Sequence, residues 1–129
     1  VIVGLTFGRL YQFFPVPIDL EIAWLVGENK VFEPDGITGA CRTSEAAFCQ
    51  HCLTWLENAG YIATSRISQL GAVQAVLTAK SLEILKAMPA SLNAPLGERM
   101  VQAAKTEGRE ALRSLVGQAL GMGLQWLGR

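Results

Sequence analysis

The sequence has no surplus of either charge. Its 129 residues carry eleven Lys and Arg against eleven Asp and Glu, a formal net charge of zero. A chain without a basic excess gains no long-range pull toward nucleic acid or an anionic membrane, so binding of that kind has to come from local clusters. Histidine occurs once and cysteine three times. An odd cysteine count without scaffold spacing argues against a disulfide framework, and no charged n-region precedes the first apolar run, so a cytoplasmic protein is expected. Long apolar runs are missing too. The longest uncharged tract, Ser114 to Gly128, carries Gln118 and Gln125 and falls short of the roughly 20 apolar residues a spanning helix needs, so no membrane partner is expected. The chain opens on Val1 rather than Met, from which we expect a trimmed or partial N-terminus.

What is present is apolar: 50% of the residues are hydrophobic, enough to fill a core and to exclude a disordered chain. The charges are unevenly spread. Residues 1 to 35 hold Arg9 and Lys30 against Asp19, Glu21, Glu28, Glu33 and Asp35, whereas residues 95 to 129 hold Arg99, Lys105, Arg109, Arg113 and Arg129 against Glu98, Glu107 and Glu110. The head is acidic and the tail basic.

Helical spacing of Leu5, Phe7, Leu10, Phe13 and Phe14 predicts a first helix, halted at Pro15. Asp19 as N-cap, apolar Ile22, Leu25 and Val26, and Gly27 as a stop predict a second. Residues 28 to 42, with Pro34-Asp35-Gly36 and Gly39, read as a loop. Thr43 or Ser44 then caps a helix that closes on Gly60. "YIATSRIS" and "AVQAVLT" are rich in residues that favour strands and flank a Gln69-Leu70-Gly71 turn, which predicts a hairpin. Thr78 caps a further helix ended by Pro89, and Asn93 with Pro95 marks a new helix start after the linker "PASLNAP". From Leu96 the stripe Met100, Ala104, Leu112, Leu115, Val116, Ala119 and Leu120 predicts one or two helices, broken at Gly108.

Cys41, Cys49, His51 and Cys52 are the ligand types of a zinc site, and spacing tests whether they can converge. On a helix at ~100° per residue, Cys49, Cys52, Leu53 and Leu56 share one face while His51 points more than ~90° away. No second Cys-x-x-Cys pair exists, and the one present lies mid-helix, where no dipole activates a thiol. The expectation is buried cysteines, with no metal and no cofactor.

With metal set aside, the order of elements resembles a winged helix-turn-helix domain, in the style of small bacterial proteins of unknown role. The resemblance rests on "LTWLENAGYI", a helix ending at Gly60 and passing straight into a strand, and on "VLTAKSLEIL", a last wing strand delivering Thr78 as the next cap. It implies an α+β, mostly helical fold with a β-hairpin wing over residues 1–88, followed over 89–129 by a linker and a C-terminal helical extension. It also implies that the helix before the wing enters the major groove of double-stranded DNA, in a transcriptional regulator. The candidate DNA-binding residues are then Arg42 and Thr43 at the helix entrance, Ala47, Gln50, His51 and Thr54 on its outward face, and Arg66 on the wing. Gln50 suits adenine N6 and N7; Arg42, Thr43 and a protonated His51 suit phosphate. Surface polar residues are as often merely solvated, so a protein-docking module without DNA stands as the alternative.

The tail bears on that choice. Leu112, Leu115, Val116, Leu120, Leu124 and Trp126 put much apolar surface into one short segment, and Gly117 and Gly121 form a Gly-x-x-x-Gly pair that permits close helix approach. Packing on its own domain and homodimerisation both satisfy this pattern; we expect a homodimer, which would double the footprint on a palindromic site. The lone histidine shares no helix face with either neighbouring cysteine, so it has no obvious nucleophile partner, and no Gly-rich phosphate loop precedes a helix; catalysis is not expected.

Overall fold

In the computed structural model, residues 1–27, 30–33, 41–87 and 94–127 are described, with the side chains of 33, 41, 42 and 125–127 left aside. The protein is α+β and mostly helical, with a small antiparallel sheet. Helix α1 (Ile2–Phe13) leads into strand β1 (Ile18–Glu21) and the short helix α2 (Ile22–Val26). A two-residue strand β2 (Phe32–Glu33) pairs with β3 (Cys41–Arg42), and helix α3 (Ser44–Asn58) follows. Strands β4 (Ile62–Ala63), β5 (Arg66–Ser68) and β6 (Gly71–Leu77) precede α4 (Ala79–Lys86) and α5 (Leu96–Gln102). One π-helical turn, Ala103–Glu107, joins α5 to α6 (Arg109–Leu127) across Gly108.

Strand β6 is the centre of the sheet. β1 lies on one side of it, while β5 and β4 pair in succession along the other, Arg66 opposite Val73 and Ile62 opposite Leu77. The expected hairpin is therefore present, turning at Gln69 and Leu70. Gly71 opens β6 at φ 142°, and a Cβ there would overlap the Leu20 carbonyl oxygen of β1, so only glycine lets the two strands meet at this point.

Two local expectations are corrected. Residues 18–21 form a strand, not the start of a helix, because Ile18 and Leu20 face inward while Asp19 and Glu21 face out, a period of two. Asp19 caps no helix; its Oδ1 accepts from Gln74 N at 2.9 Å, across the register shift between Ile18 and Leu20, where Gln74 adopts φ 51°. The stretch read as a loop contains the β2–β3 ribbon; Pro34-Asp35-Gly36 and Gly39 lie outside the described residues, as do Pro89 and Asn93.

The caps at Thr43 and Thr78 form where the sequence places them. Thr43 Oγ1 accepts from Ala46 N at 3.0 Å and Thr78 Oγ1 from Ser81 N at 3.3 Å. Thr78 Oγ1 also donates to the Gly60 carbonyl at 2.6 Å, which fastens the start of α4 to the end of α3.

One hydrophobic cluster serves the whole described chain. Phe7 and Leu10 of α1, Leu20, Ile22, Leu53, Leu56, Ile62 and Leu85 join Leu96, Met100, Leu112, Leu115 and Ala119 from the C-terminal helices. Helix α1 is the hub, packed against α2, α3, α5, α6, β1 and β6. Much of the tail's apolar stripe is covered within its own chain: Leu112 and Leu115 are buried at 2% and 4% exposure, and Val116 and Leu120 are half-buried against the same cluster. The reason lies in α1. Gly4 leaves room for Leu112, since a Cβ on Gly4 would stand 2.5 Å from Leu112 Cγ, and one on Gly8 would stand 3.5 Å from Val101 N of α5. Gly117 and Gly121 face open space, Leu124 is exposed, and the Trp126 side chain lies outside the description.

Candidate functional site

Helix α3 is fixed from within by Ala46, Cys49, Leu53 and Leu56, all fully buried. That stripe sets the phase of everything else on the helix. His51 and Thr54 are exposed, as the spacing predicts, whereas Ala47 and Gln50 sit half-buried on the flank. The polar face is centred on His51 rather than on Gln50.

Of the two entrance residues, Thr43 has its hydroxyl engaged on both sides: it accepts from Ala46 N and donates to the Lys30 carbonyl. The oxygen caps the first turn of α3, and the hydroxyl proton that would have met a phosphate oxygen goes to the Lys30 carbonyl. The Arg42 backbone pairs with Phe32 in the β2–β3 ribbon, and its side chain is outside the description.

The far end of α3 is tied to the hairpin. Trp55 stacks on Tyr61 with centroids 5.8 Å apart, and the Lys80 ammonium lies 4.2 Å over the other aromatic partner, the Tyr61 ring, while donating to the Ala59 carbonyl at 3.0 Å. Thr64, in the bend between β4 and β5, donates to Glu57. These links hold the hairpin at a set position relative to the α3 surface.

Arg66 on β5 is exposed. It shares a surface cleft of about 200 Å³ with Asp19 and Glu21 of β1, on the far side of β6, so this cation and two carboxylates line one surface.

Sequence spacing missed two features of α3. Phe48 is 62% exposed and Trp55 51% exposed, on the flank of the outward face opposite Gln50. Their positions, seven apart, were readable as a helical stripe. What spacing could not tell is that the inward face was already full.

His51 and Cys49 face opposite sides of α3, and Cys52 is half-buried between them. Burial pushes the Cys49 thiol up to about 12 and also raises that of Cys52, the reverse of what a thiolate ligand or redox nucleophile needs. Among the described residues no three His, Cys, Asp or Glu side chains gather as a metal set. No described helix is long and apolar enough to cross a membrane. A cleft of about 480 Å³ lies between α1 and the α5 to π-helical segment, lined by residues that include Tyr11, Gln12, Val101 and Lys105, with no α3 residue in its lining.

In comparisons with protein families, with curated proteins and with solved structures, the chain matches none.

Proposed function

We propose that the chain is a winged-helix domain that binds double-stranded DNA through α3, as a bacterial transcriptional regulator working in the cytoplasm. The observation that carries this reading is the placement of α3: its apolar stripe is locked into the core, its outward face carries His51 and Thr54, and it runs directly into the β4–β5–β6 hairpin. Strand β1, between α1 and α2, pairs with β6 and so braces the hairpin from its other side. In this reading His51, Thr54 and Gln50 meet base edges or the groove wall, Arg42 meets phosphate, and Arg66 marks the wing tip.

A second reading, a docking module for another protein, draws support from Phe48 and Trp55, because exposed aromatics on one rigid helix face are what interface cores are made of. Salt separates the two. Fluorescence anisotropy with mixed duplexes should show binding that weakens steeply as salt rises, with His51→Ala and Gln50→Ala changing sequence preference. Absence of duplex binding at low salt, together with a Phe48→Ala or Trp55→Ala variant that loses a protein partner, would establish the docking module instead.

A further inference from the structure

A DNA reader needs cations near its groove helix, and the described wing gives only Arg66, which shares its surface cleft with Asp19 and Glu21. A second cleft, about 250 Å³, lies between the start of α1, α2, the start of α3 and the start of α6; Val1, Ile2, Leu25 and Val26 wall it, and Lys30, Glu45, Phe48, Arg109 and Arg113 complete its lining. Three cationic side chains face one carboxylate there. Glu45 is already matched by Lys30, whose Nζ lies 3.8 Å from Glu45 Oε2. Among the described residues neither Arg109 nor Arg113 has a carboxylate within ion-pair distance, and both are exposed.

Arg109 and Arg113 stand four residues apart on one helix, so the two guanidinium groups face the same way. Like charges at that spacing repel weakly across solvent, and an anion placed between them relieves the repulsion. The guanidinium fork also suits phosphate oxygens better than an ammonium does. Phe48 belongs both to this cleft and to the outward face of α3, which makes the cleft continuous with the surface assigned above to the major groove.

We propose that the cleft holds the backbone phosphates of duplex DNA, with Arg109 and Arg113 as the principal contacts and Lys30 as a third. The proposal rests on the DNA reading of α3. It assigns to the C-terminal helix the electrostatic task that the wing performs poorly, and it makes residues from α2's exit, α3 and α6 parts of one interface.

The test compares the full chain with an Arg109→Gln/Arg113→Gln double variant. Both side chains are exposed, so unfolding midpoints should agree, and circular dichroism checks that they do. Anisotropy on duplex DNA over a salt series should show the slope of log affinity against log salt shallower by about two in the double variant, with affinity lost equally for all sequences. A slope unchanged in the variant while the native chain binds duplex overturns the proposal. A second arm titrates inorganic phosphate and follows backbone amide shifts. Shifts at Arg109, Arg113 and Lys30 that vanish in the double variant are expected. If those shifts occur but no duplex binds, the nucleic-acid reading fails and the cleft is a small-anion site. Tighter competition by an acidic peptide than by duplex would assign the cleft to a protein partner and overturn DNA as its occupant. No shifts and no change of slope remove the cleft altogether.

Discussion

The chain contains two Gly-x-x-x-Gly pairs, and they meet opposite fates. Gly4 and Gly8 in α1 lie against other elements, Gly4 under the Leu112 side chain of α6 and Gly8 against the α5 backbone at Val101. Gly117 and Gly121 in α6 face open space, with no atom within 4 Å of the position a Cβ would take. The spacing is the same; the neighbouring residues differ. Gly4 and Gly8 flank buried Thr6 and Phe7, so they sit on the hub helix's packed face, whereas Gly117 and Gly121 occupy the outward face of a helix whose inward face is Leu112, Leu115 and Ala119. A small-residue pair permits close approach, and the apolar phase of the helix decides whether anything approaches.

The largest way to break the comparison is to empty the α1–α6 contact. Leu112→Ala removes a side chain that is 2% exposed and should cost about 2–5 kcal/mol in urea unfolding. Leu124→Ala, on the exposed side of the same helix, should cost under about 0.5 kcal/mol. Equal losses at the two positions would mean that the outward face is buried in solution by something else.

Next in size is Gly4→Ala. A Cβ placed 2.5 Å from Leu112 Cγ forces α1 and α6 apart, and overpacking of this kind typically costs about 1–3 kcal/mol. Gly8→Ala places its Cβ at ordinary contact distance, 3.5 Å from Val101 N, and should gain a little stability from helix propensity. Thermal unfolding of the two variants, measured side by side, gives the sign of each.

A smaller effect concerns α3. Burial raises the Cys49 thiol from 9.0 to about 12, so in the unfolded chain this group loses its proton near pH 9 while in the folded chain it keeps it. The folded state then binds more protons than the unfolded one. Its stability contribution is complete below pH 9 and is lost as pH rises toward 12. Cys49→Ala should flatten that alkaline limb of the stability curve, and native Cys49 should resist alkylation at pH 8.

What the sequence made legible was local. Thr43, Thr78 and the Gln69-Leu70 turn announce themselves because a cap or a turn needs only neighbours within a few residues. The outward exposure of His51 and Thr54 follows from helix phase alone. Strand β1 was hidden because four residues carry too little period to outweigh an Asp that looks like a cap, and because its partner, Gln74 N, is far along the chain. The engagement of the Thr43 hydroxyl with the Lys30 carbonyl depends on the path of the chain before α3. The approach of Arg109 and Arg113 to Phe48 depends on how α6 docks on α1, which no spacing within α6 encodes.

The smallest expected effect is also the one whose sign is most informative. Gly117→Ala and Gly121→Ala add a methyl group to the exposed side of a long helix, with nothing within 4 Å to meet it. Each should stabilise the chain by about 0.5–1 kcal/mol, because alanine loses less backbone freedom than glycine on entering a helix. That outcome holds if the outward face of α6 stays in water. A homodimer built on Gly117, Gly121 and Leu124 reverses it: the methyl groups would separate the two helices, the unfolding midpoint of the native chain would rise with concentration, and the variants would lose that dependence. Unfolding measured at two concentrations, a hundredfold apart, therefore reads the glycine pair directly. A midpoint independent of concentration together with stabilised variants assigns α6 to its own core alone, and leaves any doubling of the DNA footprint to another surface.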